Sequence, residues 1–422
     1  MTEVWGIFRK EDEQMGTFSP ADILIPQNIE FEKWSVIACD QYTSDRKYWK
    51  EVEKEIGDSP SALKIILPEV YLDDGDTKQR IENINSEMRK YLENDLFFEY
   101  KDSFIYTERI FRNGKIRRGI IGKLDLDDYS YIVGEETPVR ATEGTVLERI
   151  PPRVKIRENA PLEIPHIMVL IDDEEDIVIS AAKAGTEKTV YDFELMKGGG
   201  HITGKTVSEK GKKEILAAIE KLTLPSVFLK KYGVKNKKPL VFAVGDGNHS
   251  LATAKACKSR YALVELVNLH DPSLVFEPIH RVVFDTDPVK MLDELVSKSG
   301  DIGLSIDDSV SSDAKQIFLV LYGENRFYVN IREPVMNLAV GTLQNFLDGY
   351  LGENKGRLDY IHGDDVVLRH IKESYSNIGF LLPAIDKKDL FMTVICDGAL
   401  PRKTFSMGHP WEKRYYLEAR RI

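Results

Sequence analysis

The sequence predicts a protein of the α+β class with mixed α and β structure, because strand and helix signals alternate along most of the chain. The Asn113-Gly114 pair separates two apolar segments and indicates a β-hairpin, since both residues accept the positive φ angles of a tight turn. Residues 206–222 instead repeat apolar side chains at helical spacing, with lysines and glutamates opposite. Strands outnumber those of a simple doubly wound sheet, so we expect mixed sheets.

The predicted elements follow in chain order. Before the helix at 206–222, strands are predicted at 104–107, 119–124, 166–171 and 176–181. The apolar run 239–244 is typical of a strand buried on both faces, and a helix is predicted at 251–257. Beyond it we predict strands at 262–269, 279–284, 316–322 and 326–331, and helices at 288–297, 340–351 and 364–373.

Length and composition indicate a folded protein of two or three domains. The chain has 422 residues, 42% of them hydrophobic and 30% charged, and a domain takes about 150 residues. We place boundaries near residues 165 and 300, which gives an amino-terminal α/β region (1–165), a central region (166–300) and a carboxy-terminal α/β region (301–422). A chain of this length buries enough surface to fold without a disulfide or structural metal.

The net charge of the chain and its first residues indicate which partners it binds and where in the cell it is found. The net charge of −11 argues against a broad nucleic-acid surface, which is usually basic. The start, MTEVWGIFRKEDEQ, has acids where a signal peptide is apolar, and the longest apolar stretch is too short to span a bilayer. We therefore expect a cytoplasmic protein that binds neither nucleic acid nor membrane.

Residues 245–250, Gly-Asp-Gly-Asn-His-Ser, form the sharpest feature and are called the box corner. They lie between the predicted strand at 239–244 and the following helix. Gly245 and Gly247 allow positive φ and close approach of a ligand, and Asn248 or Ser250 is expected to cap the helix. The first N–H groups of a helix lack intrahelical partners and bind phosphate readily.

Two side chains of the box corner suit chemistry on an anionic ligand. Asp246 can hold Mg²⁺ or accept a proton from a substrate hydroxyl. His249 is a donor whose charge changes near neutral pH. Spacing alone leaves an alternative open, in which Asp246 and Asn248 only form side-chain turns. The corner lacks the third glycine of a dinucleotide fingerprint and the Gly-Lys ending of a phosphate loop.

The box corner and further segments resemble a large uncharacterised bacterial and archaeal family, the domain of unknown function numbered 1015. VGDGNHSLATA resembles the family's Asp-Gly-His-His-Arg box, and residues 262–283 resemble the next block, which ends in Pro-x-His-Arg. GEETPVR near Glu135 resembles its His-Glu-x-Thr block, and Arg157-Glu158-Asn159 its Arg-x-Asn. LDYIHGDD and LPRKTFSMGHP resemble its carboxy-terminal blocks, and all of these segments come in family order.

The resemblance also reaches, more remotely, to the box of ParB-type partition proteins, sulfiredoxin and a free-serine kinase, in which the following helix receives nucleotide phosphates. It implies a ParB/sulfiredoxin-like core with flanking α/β segments, and a site for a nucleotide (ATP or ADP, or else CTP) with Mg²⁺. The implied nucleotide site comprises Asp246, Gly247, Asn248 and His249, and Gly245 and Ser250 beside them are also expected to bind the nucleotide. This chain departs from the box twice, because Asn248 replaces the first histidine and Ser250 replaces the arginine. The second change removes a bidentate phosphate contact.

Three other segments are candidates for the site. Arg281 is the natural substitute for the missing arginine, and His280 beside it would face the same crevice if their strand neighbours 239–244; a solvated pair at a strand edge is the alternative. Glu135 is a candidate base or metal ligand, or else part of a charged loop. The glycine-rich residues 198–204 suggest a ligand-approaching loop or a flexible linker. His166 is expected to be structural, and Pro151 is expected, with the proline after it, to exclude a helix there.

The leading hypothesis is a nucleotide-dependent phosphotransferase acting on a small hydroxyl-bearing metabolite. Asp246, His249 and Glu135 are its expected catalytic residues, with Asp246 as the metal ligand, and His280 and Arg281 help to bind the nucleotide. A second hypothesis is a non-catalytic nucleotide-sensing module of ParB-like type, with a ligand-dependent homodimer. A third is a metabolite-binding protein whose box holds a carboxylate or sulfate.

Overall fold

A computed structural model describes residues 16–422, and the start of the chain discussed above lies outside the described residues. Within that part, the helices are α1 (Phe31–Trp34), α2 (Arg46–Ile56), α3 (Thr77–Glu93), α4 (Ile150–Arg157), α5 (Ile177–Ala184), α6 (Glu209–Thr223), α7 (Pro225–Tyr232), α8 (Asn248–Ala256), α9 (Pro288–Lys298), α10 (Ala339–Glu353), α11 (Asp364–Glu373) and α12 (Lys387–Asp397).

The strands alternate with these helices, which confirms the predicted mixed α/β class. They are β1 (Phe18–Ser19), β2 (Ala21–Pro26), β3 (Phe97–Ser103), β4 (Ile105–Ile110), β5 (Ile116–Asp125), β6 (Tyr129–Ser130), β7 (Val139–Ala141), β8 (Leu162–Glu163), β9 (Met168–Ile171), β10 (Thr186–Leu195), β11 (Gly200–Val207), β12 (Phe242–Asp246), β13 (Tyr261–Asn268), β14 (Phe276–Phe284), β15 (Leu304–Asp307), β16 (Gln316–Tyr322), β17 (Asn325–Ile331), β18 (Arg357–His362), β19 (Ile378–Leu381), β20 (Phe405–Met407) and β21 (Arg420–Arg421).

The first sheet is mixed and holds the box corner. Its strand order is β10-β11-β4-β5-β13-β9-β12-β7-β6, with β1 beside β5. Neighbouring residues of β9 face opposite sides, as a strand requires. Val169 contacts the core formed with α5, α6 and α8, while Leu170 contacts the core formed with α7 and α12. The predicted hairpin around Asn113-Gly114 is present as the antiparallel pair β4–β5.

The second sheet has the order β15-β17-β16-β19-β14-β18, with β20 also pairing with β14. Helices α9 and α10 cover one face, and α11 packs on the other around Val282. The end of the chain then returns to β2, which pairs with β3 in a separate two-stranded sheet, and the Ala419 and Leu24 backbones exchange hydrogen bonds of 2.9 and 2.8 Å. The predicted boundary near residue 165 therefore does not separate structural units, because strands from both sides of it hydrogen-bond in one sheet.

Two local predictions are wrong, and both errors have a physical cause. Residues 176–181 belong to helix α5 rather than to a strand; Asp173 accepts a hydrogen bond of 2.8 Å from the Val178 N–H, and α5 packs against α6. Pro151 and the proline after it lie in the first turn of α4. Proline is tolerated there because the first N–H groups of a helix have no intrahelical acceptor.

Among residues 16–422, none of the helices combines the length and the apolar character that crossing a bilayer requires.

Candidate active site

Within the box corner, a single residue, Gly247, connects β12 to α8. Gly247 makes this turn at φ +79°, and a Cβ atom on it would lie 3.0 Å from the Cα atom of Ile167. The helix begins at Asn248, three residues earlier than predicted, so neither Asn248 nor Ser250 precedes it as a cap. No side chain caps α8. The start of the helix thus keeps the partial positive charge that attracts anions.

Residues 142–146 pack against the box corner. The Thr142 hydroxyl donates to the Val244 carbonyl oxygen at 2.7 Å, and the Val146 N–H donates to His249 Nε2 at 3.4 Å. Two buried polar atoms at this junction, Thr145 Oγ1 and Asn248 Oδ1, have no hydrogen-bond partner among residues 16–422. Buried polar atoms are usually hydrogen-bonded, so these two are unsatisfied polar groups beside the box corner.

Two carboxylates meet at the box corner because β7 and β12 are parallel neighbours. Ala141 pairs with Val244, and Glu143 and Asp246 each follow that pair by two residues. The carboxyl ends of parallel strands meet at one edge of a sheet, where α/β proteins commonly bind ligands. Glu143 was not among the residues predicted for the site.

Two lysines accompany these carboxylates, and the four residues together are called the acid–lysine cluster. Lys413 Nζ lies 3.3 Å from Asp246 Oδ2. Glu143 accepts a hydrogen bond from the backbone of Lys403, and the positive charge of the Lys403 side chain acts to lower the pKa of Glu143. Burial nevertheless raises the pKa of Glu143 above its ordinary value, and the negative charge of Asp246 adds to the rise. The cluster thus pairs a proton-accepting group with cations suited to phosphate.

A buried arginine holds the loop that carries Lys403. Arg281 is 0% exposed and donates to the backbone carbonyl oxygens of Arg402 at 3.1 Å and Lys403 at 2.8 Å. It also donates to the Ile279 carbonyl at 2.6 Å and to Gln344 Oε1 at 3.0 Å. This differs from the expectation that Arg281 replaces the box arginine. Carbonyl groups surround its guanidinium, so it fixes the loop instead.

A second buried arginine holds the turn that carries Lys413. Arg109 donates to the carbonyl oxygens of Trp411 at 2.6 Å and Lys413 at 2.6 Å. It also donates to the carbonyl of Gly199 at 2.9 and 2.7 Å. The glycine-rich residues 198–204 are therefore the end of a hairpin turn and the first half of strand β11, not a linker, since a Cβ atom on Gly200 would lie 2.1 Å from the Ile110 carbonyl oxygen.

The structure does not bring every predicted residue to the box corner. Asp246, Asn248, His249 and Ser250 lie there together on β12 and α8. Glu135, in contrast, is exposed and accepts a hydrogen bond of 2.6 Å from the Ser130 hydroxyl within its own loop.

His280 lies on β14 in the second sheet, and its contacts are with neighbouring residues there. Its Nε2 atom lies 2.8 Å from Asp364 Oδ1, and its Nδ1 atom accepts a hydrogen bond of 3.1 Å from the Leu382 N–H. Burial lowers the pKa of His280, against the opposing charge of Asp364. Both ring nitrogens therefore have partners other than the box corner.

A buried histidine that was expected to be structural lies next to the acid–lysine cluster. His166 Nε2 is 3.4 Å from Asp40 Oδ2, and His166 Nδ1 is 2.8 Å from the Tyr416 hydroxyl. Burial opposes charge on both side chains of this pair, yet Asp40 raises the pKa of His166, and His166 holds the pKa of Asp40 well below its usual range. The negative charge of Asp246 also raises the pKa of His166, and the positive charge of Lys413 also lowers the pKa of Asp40.

Another group of possible metal ligands lies elsewhere. Oxygen or nitrogen atoms of Asp172, Glu174 and His270 lie within 4.8 Å of one another. Lys231 Nζ lies 2.6 Å from Asp172 and 3.2 Å from Glu174, so an ammonium group already balances these acids.

Comparison with known proteins identifies a family and several solved structures of low sequence identity. The model of the family described as "Protein of unknown function (DUF1015)" matches residues 24–350. A free serine kinase in complex with AMP is 12% identical, over 70% of this chain and 90% of that one, with a TM-score of 0.39. A conserved hypothetical protein from Pyrococcus furiosus is 11% identical, over 70% and 93%, with a TM-score of 0.37. SbnI with C-terminal truncation from Staphylococcus aureus is 11% identical, over 68% and 83%, with a TM-score of 0.36. A search of curated protein sequences finds no match.

Proposed function

Since this chain belongs to the DUF1015 family, whose description assigns no activity, we propose from the geometry of its own site that it is a nucleotide-dependent phosphotransferase acting on a hydroxyl group of a small metabolite. The observation that carries the proposal is the acid–lysine cluster at the uncapped start of α8. Phosphoryl transfer depends mainly on positioning and on neutralising charge, and such a cluster provides both.

The phosphate groups would lie at the start of α8, between its first N–H groups and the two lysines. Lys413 takes the part that the family's box arginine would play, since Ser250 stands in the arginine's position. The side chains of Lys413 and Asp246 are 17% and 18% exposed, so they are screened from solvent but reachable. His249 lies on the first turn of the helix, where it donates to the transferring group.

The two carboxylates have separate roles in this proposal. Carboxylate oxygens are the protein ligands that Mg²⁺ prefers, and Asp246 next to the phosphate position fits that ion. Glu143 accepts the hydroxyl proton of the metabolite, because its raised pKa makes it a stronger base than an exposed glutamate. When bound, the nucleotide would supply the phosphoryl group, and Mg²⁺ would offset its charge. Glu135, the base that the sequence suggested, has its carboxylate bonded within its own loop, so Glu135→Gln serves as the comparison variant.

The test combines binding and product analysis on the full chain. ATP, ADP and CTP are titrated with Mg²⁺ by calorimetry, and the protein is then incubated with the nucleotide that binds and a pool of amino acids and sugars. We expect a phosphorylated product from the wild type and none from Asp246→Asn or Glu143→Gln, while Glu135→Gln keeps its activity. Absence of binding by all three nucleotides at millimolar concentration contradicts the proposal. Loss of activity in Glu135→Gln alone would transfer the role of base to Glu135.

A non-catalytic nucleotide-sensing module is the second candidate, and the loss of the box arginine at Ser250 favours it. This candidate shares the phosphate position and predicts binding without any product. Analytical ultracentrifugation with and without the nucleotide distinguishes the two further. A sensing module changes its oligomeric state on binding, whereas the enzyme needs no such change.

A further inference from the structure

We propose that an apolar cavity behind α8 receives the nucleobase of the nucleotide whose phosphates lie at the box corner. The cavity has a volume of about 140 Å³ and lies between α4, α8 and residues 65–72. Its wall is mainly aliphatic and includes Ile65, Leu67, Met88, Ile156, Leu162 and Ile164. This inference rests on the proposed function, because it assigns the part of the nucleotide that the acid–lysine cluster does not hold.

The cavity adjoins the box corner through the first turns of α8. Ser250 and Thr253 line it, and Ser250 is also the last residue of the box corner. His166 lines it from the other side and lies close enough to Asp246 for the charge of that carboxylate to act on its pKa. A ligand with phosphate at the start of α8 therefore has the cavity within reach of its other end.

The charges in the cavity wall favour an uncharged group. Arg153 pairs with Glu69, and Arg157 Nη2 lies 2.5 Å from Glu163 Oε2. Both arginines are thus neutralised by their own partners, and a charged group entering the cavity would lose its hydration without gaining a free counter-ion. An uncharged, flat ring gains from the aliphatic wall instead.

Size also favours a ring. An engineered aliphatic cavity of about 150 Å³ in another protein binds benzene, so about 140 Å³ accommodates an aromatic ring. The metabolite that accepts the phosphoryl group is a poorer occupant. A small polar molecule finds few free polar partners on this wall, and its hydroxyl must reach the carboxylates of the cluster.

The experiment fills the cavity and compares two probes. Ala160 lines the cavity just after α4, so Ala160→Phe places a ring inside it. The control is Ala184→Phe at the exposed end of α5. Calorimetry measures the binding of Mg–ADP and of Mg–pyrophosphate, which has the two phosphates but no base. We expect Ala160→Phe to weaken ADP binding by about 10- to 100-fold, as for losing one buried ring, and to leave pyrophosphate binding unchanged.

Unchanged pyrophosphate binding also shows that the variant is folded. Ala160→Leu, a smaller filling, should give an intermediate loss of ADP affinity. Equal ADP affinity in the wild type and Ala160→Phe overturns the cavity assignment and leaves the phosphotransferase proposal standing. If product formation alone falls in that variant, the cavity holds the acceptor instead and the assignment is wrong. If the wild type binds neither probe, the proposed function and this inference fail together.

Discussion

Replacing Arg281 with methionine tests whether this side chain holds the loop of Lys403 instead of contacting phosphate. Methionine keeps much of the buried volume and removes the guanidinium. Four acceptors lose their donor: the carbonyl oxygens of Ile279, Arg402 and Lys403, and the side chain of Gln344. A buried polar group left without a partner costs about 1–3 kcal/mol.

The expected destabilisation follows from how many of those acceptors can find water. Arg402 and Lys403 have exposed side chains, so their carbonyl groups can become hydrated when the loop shifts. Ile279 and Gln344 are buried and cannot. Two acceptors left unsatisfied give a loss of about 2–6 kcal/mol in the free energy of unfolding, measured by urea denaturation. The matched control is Arg402→Ala in the same loop, which should stay within about 0.5 kcal/mol of the wild type.

A double-mutant cycle connects this stability effect to the site. If Arg281 acts by placing Lys403, Arg281→Met and Lys403→Ala should each weaken pyrophosphate binding, and the double variant should be no weaker than Lys403→Ala alone. Lys413→Ala should combine with Arg281→Met additively. The reasoning is refuted if Arg281→Met lies within 1 kcal/mol of the wild type in urea or if its binding effect adds fully to that of Lys403→Ala.

The remaining predictions concern the turn, the buried charges and the proposed base. Gly247→Ala should lose about 1–2 kcal/mol in urea denaturation, because its φ is left-handed, and a wild-type value would contradict the turn. Arg414 lies 2.7 Å from Glu265 and also pairs with Glu418 in the interior. Arg414→Met removes the cation that both acids share and should lose about 3–5 kcal/mol; an unchanged unfolding midpoint would contradict a stabilising role for these two ion pairs. The raised pKa of Glu143 means that the folded state binds this proton more tightly than the unfolded chain does. The free energy of unfolding therefore falls as the pH rises from the pKa of the unfolded chain to that of the folded state. Glu143→Gln lacks this titration, so its stability relative to the wild type should rise as the pH increases above the ordinary glutamate pKa of about 4.3, and a pH-independent difference would contradict the raised pKa.

The parts of the fold that were predictable depend on local chemistry. The hairpin at Asn113-Gly114 follows from two residues that accept positive φ, and the box corner follows from Gly247 between an apolar strand and a helix. The strand predicted at 176–181 is wrong because a short apolar run fits a buried helix equally well. Only its contact with α6 decides between the two.

The missing half of the site depends on long-range contacts. Glu143 follows a strand of only three residues, and its place beside Asp246 comes from the parallel pairing of β7 with β12. The segment Ala-Thr-Glu-Gly-Thr at 141–145 carried the available signal, a carboxylate next to a glycine just beyond the short strand Val-Arg-Ala. Lys403 and Lys413 lie more than 150 residues from the box corner in sequence, and two buried arginines from different sheets place them there.

The central claim is that the uncapped start of α8 and the acid–lysine cluster bind phosphate. A crystal structure of the full chain grown with Mg²⁺ and ADP tests it most directly. We predict that the terminal phosphate lies within hydrogen-bonding distance of the Asn248 and His249 N–H groups and of Lys413 Nζ. In that structure Lys413 Nζ contacts the phosphate instead of Asp246. ADP bound with both phosphates away from α8, and Lys413 still paired with Asp246, would contradict the account.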